Sequence, residues 1–290
     1  MFYLFNPLIL PILTYGSDIW GTNTTITKAI DKVFLRFTRM VLGVKATTNN
    51  ICVMGESGQF PPSIKCHISI LNNFIRLNTS PQKTILGEVF SEIKRLHNLG
   101  FPTWVTRVNK LASYYKIDME QKYSTYEIKS IVQEKHKHQW SVQLNDIQNN
   151  PSLRIYKEIK SSYSLEPYIE KCKNARHRIA ISKLRMNSHT LEIERGRHCR
   201  PKIPVDQRLC STCLVLEDEK HFLTGCNKYN TTRNKLYERI NTIHENFSLM
   251  SKDQKFIFMM TSDEPEVISS VGHFIHTSFQ QRIFTSNYNA

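Results

Sequence analysis

The stretch RLCSTCLVLEDEKHFLTGC, residues 208 to 226, sets Cys210, Cys213, His221 and Cys226 in a C-x2-C-x7-H-x4-C array. Three thiolates and an imidazole suit a zinc ion, which takes four such ligands tetrahedrally and imposes no geometry beyond charge and size. The first pair fits a tight turn that aims both sulfurs at one ion. The interval from His221 to Cys226 is close to a turn or a turn and a half of helix, so a short helix or loop closes the site. Four protein ligands leave no position for water, and the expected zinc is structural rather than catalytic.

The run leading into the array is basic. Residues 171 to 208 carry Lys171, Lys173, Arg176, Arg178, Lys183, Arg185, Arg195, Arg197, Arg200, Lys202 and Arg208 against Glu192, Glu194 and Asp206. Eleven positive less three negative charges leave +8, more than half of the chain's net +14. That excess makes a polyanion the default partner, whether a nucleic acid or an anionic membrane surface. Next to a metal-stapled module it favours RNA or DNA, held through phosphates with little sequence preference. The residues expected to make the contacts are Arg176, Arg178, Lys183, Arg185, Arg195, Arg197 and Arg200. KNARHRIAISKLRMNSH reads as a helix and ERGRHCRPKIP as a loop presenting arginines. A solvated charged face is the plain alternative.

Upstream, helical periodicity dominates. Ile26, Ile30, Val33, Phe34, Phe37, Met40 and Val41 keep a 3.6-residue period, and Gly43 marks the end. Lys28, Lys32, Arg36 and Arg39 fill other positions there. In ICVMGESGQFPPS, glycines and paired prolines break any regular element. Ser63 can then cap a helix carrying Ile64, Ile68, Leu71 and Ile75. Helical patterns follow at 84–99, 103–117 and 126–147, with Trp140 as core, and NNPS at 149–152 is a stop. After Cys226, residues 230 to 247 are helical again, and Pro265 opens a last helix holding Val267, Ile268, Val271, Phe274, Ile275 and Phe279. His273 and His276 flank its apolar face, as surface histidines or a second metal site. Alternating strand patterns are scarce. The expected fold is mostly α, a helical scaffold followed by a basic, zinc-stapled module and carboxyl-terminal helices.

Cys52, Cys66, Cys172 and Cys199, outside the array, are scattered as in a reducing compartment rather than paired as in a disulfide framework. MFYLFNPLILPIL is apolar, but it has no basic residue ahead of it, two prolines inside it and no small-residue cleavage site after it. It is also too short to span a bilayer. It reads as a buried segment, and the chain as nuclear or cytoplasmic rather than secreted or membrane-bound. A polymerase or metal-dependent nuclease needs converging carboxylates. Asp18, Asp31, Asp118 and Asp146 lie in separate elements, and no phosphate-binding glycine loop, G-x-S-x-G or H-E-x-x-H occurs. No enzymatic activity is expected of this chain alone.

Three stretches resemble the carboxyl-terminal part of non-LTR retrotransposon (LINE-like) reverse-transcriptase polyproteins. LILPILTYGSDIWG (8–21) is similar to the end of the polymerase thumb region, "P-x-L-x-Y-G-x-E-x-W-G", with Asp18 at the acidic position. KLRMNSHTLEIERGRHCRPKIPVDQRLCSTC resembles the run into the zinc-binding region, through Arg185, Leu191, Gly196, Arg197, Pro204, Arg208, Cys210 and Cys213. EDEKHFLTGCNKYNTTR matches the closing half with Glu219, His221, Cys226 and Arg233, while Asn187 stands where the pattern has glycine. The resemblance implies segments at 1–25 (thumb end), 26–165 (scaffold), 166–235 (zinc module) and 236–290 (terminal helices). It also implies a non-catalytic accessory region that binds template RNA or target DNA, with the polymerase domain upstream. A zinc-stabilised protein-docking module, or an inert remnant of a decayed mobile element, is the alternative.

Overall fold

In the computed structural model, which describes residues 4–79 and 84–287 with side chains through Arg282, the apolar amino-terminal run winds into a π-helical turn at Phe5–Ile9. Helices α1 (Leu10–Leu13) and α2 (Ser17–Trp20) follow. Phe5 is buried, stacked on Phe37 with ring centroids 4.7 Å apart. Leu4, Leu8, Ile9 and Ile12 are exposed, so the expectation of a wholly buried segment is corrected. Turns this short cover one face only. Gly21 ends α2 where a Cβ would lie 3.0 Å from both Cys66 and Ile70, so the close approach requires glycine.

Six main helices follow, and all but the second appear where periodicity placed them. They are α3 (Thr24–Leu42), α4 (Asn50–Ser57), α5 (Pro62–Thr79), α6 (Ile85–Asn98), α7 (Trp104–Tyr115) and α8 (Thr125–Asn145). The buried side of α3 carries Thr27, Phe34 and Thr38, whereas Ile26, Val33 and Met40 are exposed. Helix α4 was not expected, because glycines interrupt its sequence. Asn49 caps it, its side chain accepting from the Ile51 N–H, and burial of Ile51, Cys52 and Val53 sustains it. Ser63 does not cap α5. Asp31 of α3 does so, accepting the Ser63 N–H at 2.9 Å and its hydroxyl at 2.6 Å.

The remaining helices are α9 (Arg154–Ile159), α10 (Pro167–Lys171), α11 (Ala175–Arg185), α12 (Glu192–His198), α13 (Glu219–Thr224), α14 (Asn230–Asn241), α15 (Lys252–Thr261) and α16 (Pro265–Asn287). Pro265 starts α16 as expected. The chain is mostly α; among the described residues the β-structure is a lone antiparallel bridge between Leu209 and Leu216. No helix among them is long and apolar enough to cross a membrane.

Two compact units result, one of Met1–Val41 with Gln59–Gln143 and one of Leu42–Gly58 with Leu144–Ala290. These divisions differ from the segments drawn on sequence. The scaffold of 26–165 is shared between units, and the basic module of 166–235 has one core with the helices of 236–290. That core joins Ile155, Leu184, Leu191, Phe222, Leu236, Phe256, Phe274 and Ile275. The physical reason is composition: the basic run is too polar to bury a core alone and borrows apolar faces from α15 and α16. The first unit packs Ile64, Ile70, Phe74, Phe90, Val105, Val108 and Ile128 together. There the Trp104 indole donates to the Asp18 carbonyl at 3.0 Å. Trp140 is buried, as expected.

Burial pushes the pKa of both His67 and His136 in the first unit down to about 4. An unfolded histidine titrates near 6.5, so between about 4 and 6.5 the unfolded chain binds more protons. The stability these groups contribute is present above pH 6.5 and is lost as pH falls towards 4. Urea midpoints should drop across that window, and a His67→Gln, His136→Gln double variant should show a flatter profile.

Candidate metal centre and basic surface

Cys210 and Cys213 sit on a tight hairpin. Glu217 N–H donates to the Arg208 carbonyl at 2.9 Å, and Cys210 N–H to that of Val215 at 2.7 Å. Leu214 takes a positive φ of 57° at the tip, which lets its N–H return to the Cys210 carbonyl at 2.9 Å. Asp218 then caps α13 by accepting the His221 N–H at 2.8 Å. The N–H groups of Gly225 and Cys226 both fold back onto the His221 carbonyl, at 2.9 and 2.8 Å. Arg233 of α14 holds this end from behind. Its buried guanidinium donates to the carbonyls of Leu223, Phe222 and Cys226 at 3.0, 3.2 and 2.8 Å.

The result brings together the four residues expected from the sequence. One ligand atom from each of Cys210, Cys213, His221 and Cys226 lies within 4.8 Å of all the others. The Cys226 sulfur is 3.7 Å from that of Cys210 and 4.0 Å from that of Cys213. A tetrahedral ion with metal–sulfur bonds of about 2.3 Å spaces its sulfurs at roughly 3.8 Å, close to these two sulfur–sulfur distances. His221 Nε2 is buried and has no hydrogen-bond partner, as a ligand nitrogen should be. Burial, and then the adjoining Cys210 and Cys213 sulfurs, push the Cys226 thiol up to about 12. A metal bound there would deprotonate its thiol ligands outright. The Asn227 N–H already points at the Cys213 sulfur, 3.3 Å away. The cluster can hold one metal ion.

The basic residues divide into two groups. Arg176 and Lys183, seven residues apart on α11, are exposed and have no ion-pair partner among the described residues, and the same holds for Arg200. Arg195 is exposed but paired with Glu192 at 3.0 Å, and Arg197 is paired with Glu194 at 2.9 Å. Arg178 donates to the Cys172 carbonyl at 3.0 Å. These pairings also explain why ERGRHCR is not the expected loop: α12 is held by two Glu–Arg pairs at i,i+3 and by the buried Leu191 and Ile193. Gly196 within it lies against the Arg208 side chain, where a Cβ would come within 2.8 Å.

Arg185 must be removed from any nucleic-acid surface. It is 1% exposed. Its guanidinium bonds Glu56 at 3.0–3.1 Å, Glu166 at 2.7 Å and the Met260 carbonyl. Burial opposes its charge, but Glu56 and Glu166 more than offset that and raise its pKa. Tyr168 donates to Glu56 at 2.6 Å, and Lys160 pairs with Glu166. Neither Glu56 nor Glu166 stood out in sequence, although a lone glutamate amid the buried residues of ICVMGES was a usable signal. A second such pair joins Glu219 to His189 at 3.1 Å and Arg154 at 2.8 Å. Since the Leu191 N–H donates to His189 Nδ1, the proton lies on Nε2, facing Glu219. Asn187, standing where the resemblance has glycine, adopts a positive φ of 54° and anchors to the Ser152 carbonyl.

His189, Thr190 and Lys45 line two adjoining hollows, one extending to Arg176 and Lys183, the other to Arg195 and His198. Burial and the nearby cations Arg197, Lys45, Lys202 and Arg208 push the His198 pKa down. Sequence reading overlooked Lys45, whose Nζ reaches the His189 carbonyl at 3.2 Å, because it lies over a hundred residues from the basic run. His177, His273 and His276 gather with ring centroids 5.4 and 6.0 Å from His177, but among the described residues the Cys-His cluster is the group spaced for a metal. No family model, curated protein or solved structure matches the chain.

Removing one partner of a buried ion pair strands the other charge, at a cost of about 3–5 kcal/mol. Arg185→Met should therefore lower the unfolding free energy of its unit by about that amount in urea titrations. Arg176→Met should change it by less than about 0.5 kcal/mol.

Proposed function

We propose that the unit of 42–58 and 144–290 is a non-catalytic nucleic-acid-binding module stabilised by one structural zinc. The observation that carries this reading is the placement of the four-ligand cluster and the cationic face within one folded unit. Cys210, Cys213, His221 and Cys226 would hold the zinc. Three sulfurs and one nitrogen are the donors this ion prefers, and a fully protein-filled shell gives it a folding role. Lys45, Arg176, Lys183, Arg195 and Arg200 would contact phosphates. In place of the seven residues expected from sequence, the surface keeps Arg176, Lys183, Arg195 and Arg200 and gains Lys45.

We assign the module, on the resemblance, to the carboxyl-terminal region of a non-LTR retrotransposon reverse transcriptase, acting beside an upstream polymerase domain on RNA or DNA in nucleus or cytoplasm. Support for this comes from the jobs done by the residues that carry the pattern. Arg185, Arg208, Glu219 and Arg233 each close a buried polar contact in the unit, and Asn187 occupies a conformation that glycine also favours. A protein-docking module is the second reading, favoured by the pairing of Arg195 and Arg197 with glutamates and by the exposed Leu214 and Val215 at the hairpin tip.

Protein purified without chelator should contain about one zinc per chain, and its removal should unfold this unit, because the binding free energy is also folding free energy. A metal-free chain with unchanged thermal unfolding would sink the zinc assignment. Binding to a single-stranded oligonucleotide should weaken with salt at a log–log slope of roughly −3.5, about 0.7 for each of five phosphate contacts. An Arg176→Ala, Lys183→Ala double variant should reduce that slope by about 1.4. Affinity no greater than that of a neutral control protein favours the docking reading.

A further inference from the structure

The hollow beside α11 has more to it than charge. Its volume is about 360 Å³, at the small end of the roughly 300–1,000 Å³ typical of ligand sites. Ile179 and Ala180 from α11 and Phe279 from α16 give it an apolar lining. Arg176 and Lys183 stand along the same edge of α11, and the exposed Thr190 and Gln280 leave the hollow open to solvent. Phe279 is fixed in place, stacked on Phe222 at 4.8 Å and beside His189 at 6.4 Å.

An apolar hollow with cations beside it suits a ligand that is flat and apolar on its faces but attached to anions. A nucleobase on its sugar-phosphate backbone is such a ligand. A simple phosphate site would have polar donors throughout, and an aliphatic ligand would gain nothing from Arg176 and Lys183. A duplex keeps its bases stacked, so the occupant must come from a single strand.

We propose that this hollow receives one unstacked base of a bound single strand, DNA or RNA, while Arg176, Lys183 and Lys45 hold the flanking phosphates. The proposal rests on the nucleic-acid reading above and adds a base-binding subsite to it. Ring and apolar surface at such a subsite is sequence-tolerant, since every base has a π face.

The test compares fluorescein-labelled 15-nucleotide oligo-dT and oligo-rU with an oligo-dT analogue whose bases are all replaced by abasic spacers, using the full chain with its metal bound. The intact strands should bind about 10-fold or more tightly than the abasic one, and the tighter of the two identifies the natural strand. Thr190→Trp and Gln280→Trp change exposed positions and fill the opening. Each should bring intact strands down to the abasic level and leave abasic binding and the thermal midpoint unchanged. Equal binding of intact and abasic strands by the unaltered chain overturns the base subsite and leaves the phosphate reading standing. Discrimination that survives both tryptophan variants places the base elsewhere and equally overturns it. No binding of any strand removes the phosphate reading as well.

Discussion

Arg185 and Glu56 are 129 residues apart in sequence and completely buried together. With Lys160 and Glu166 they form a set of two positive and two negative charges, its net charge zero, inside the second unit. Such a set is not a source of stability in itself, since desolvation roughly cancels the attraction. What it imposes is a unique arrangement. Glu56 must return to this point from the segment 42–58, α11 must present Arg185 to it, and α15 must place the Met260 carbonyl alongside. Any register shift in α11 would leave a charge buried and alone. The exposed face of α11, with Arg176 and Lys183, is fixed by what its buried face must satisfy.

Buried arginines repeat that logic around the metal cluster. Arg208 bonds the carbonyls of Ile203 and Ile193, tying the hairpin that carries Cys210 and Cys213 to α12. Arg233 gathers the carbonyls at the end of α13, next to Cys226. Arg282 from α16 clamps Glu217, at the base of the hairpin, to Glu192 on α12. Each ligand segment is thus held by a guanidinium whose five donors suit several carbonyls or carboxylates at once, which lysine could not reproduce. These bonds orient the backbone segments that carry the candidate ligands.

The four clustered Cys and His residues were legible in the sequence because they lie within seventeen residues, where a hairpin and one short helix suffice to bring them together. The long helices were legible for a similar reason, since a 3.6-residue period and its caps are local properties. Where local signals conflicted the reading failed. Glycines in ICVMGES and in ERGRHCR argued against helices that burial and i,i+3 ion pairs sustain. The fate of individual arginines was hidden more deeply, for a buried and an exposed guanidinium have the same sequence signature.

Sequence alone therefore determined the mostly helical class, the Cys-His array and the basic excess, all carried by residues near one another along the chain. Tertiary structure decided which of those charges reach solvent. It buried Arg185, paired Arg195 and Arg197, left Arg176, Lys183 and Arg200 exposed, and brought Lys45 beside Arg176 and Lys183 from outside the basic run. The reason is physical: a charge inside a protein is tolerated only beside its counter-charge, and the counter-charges here come from distant parts of the chain.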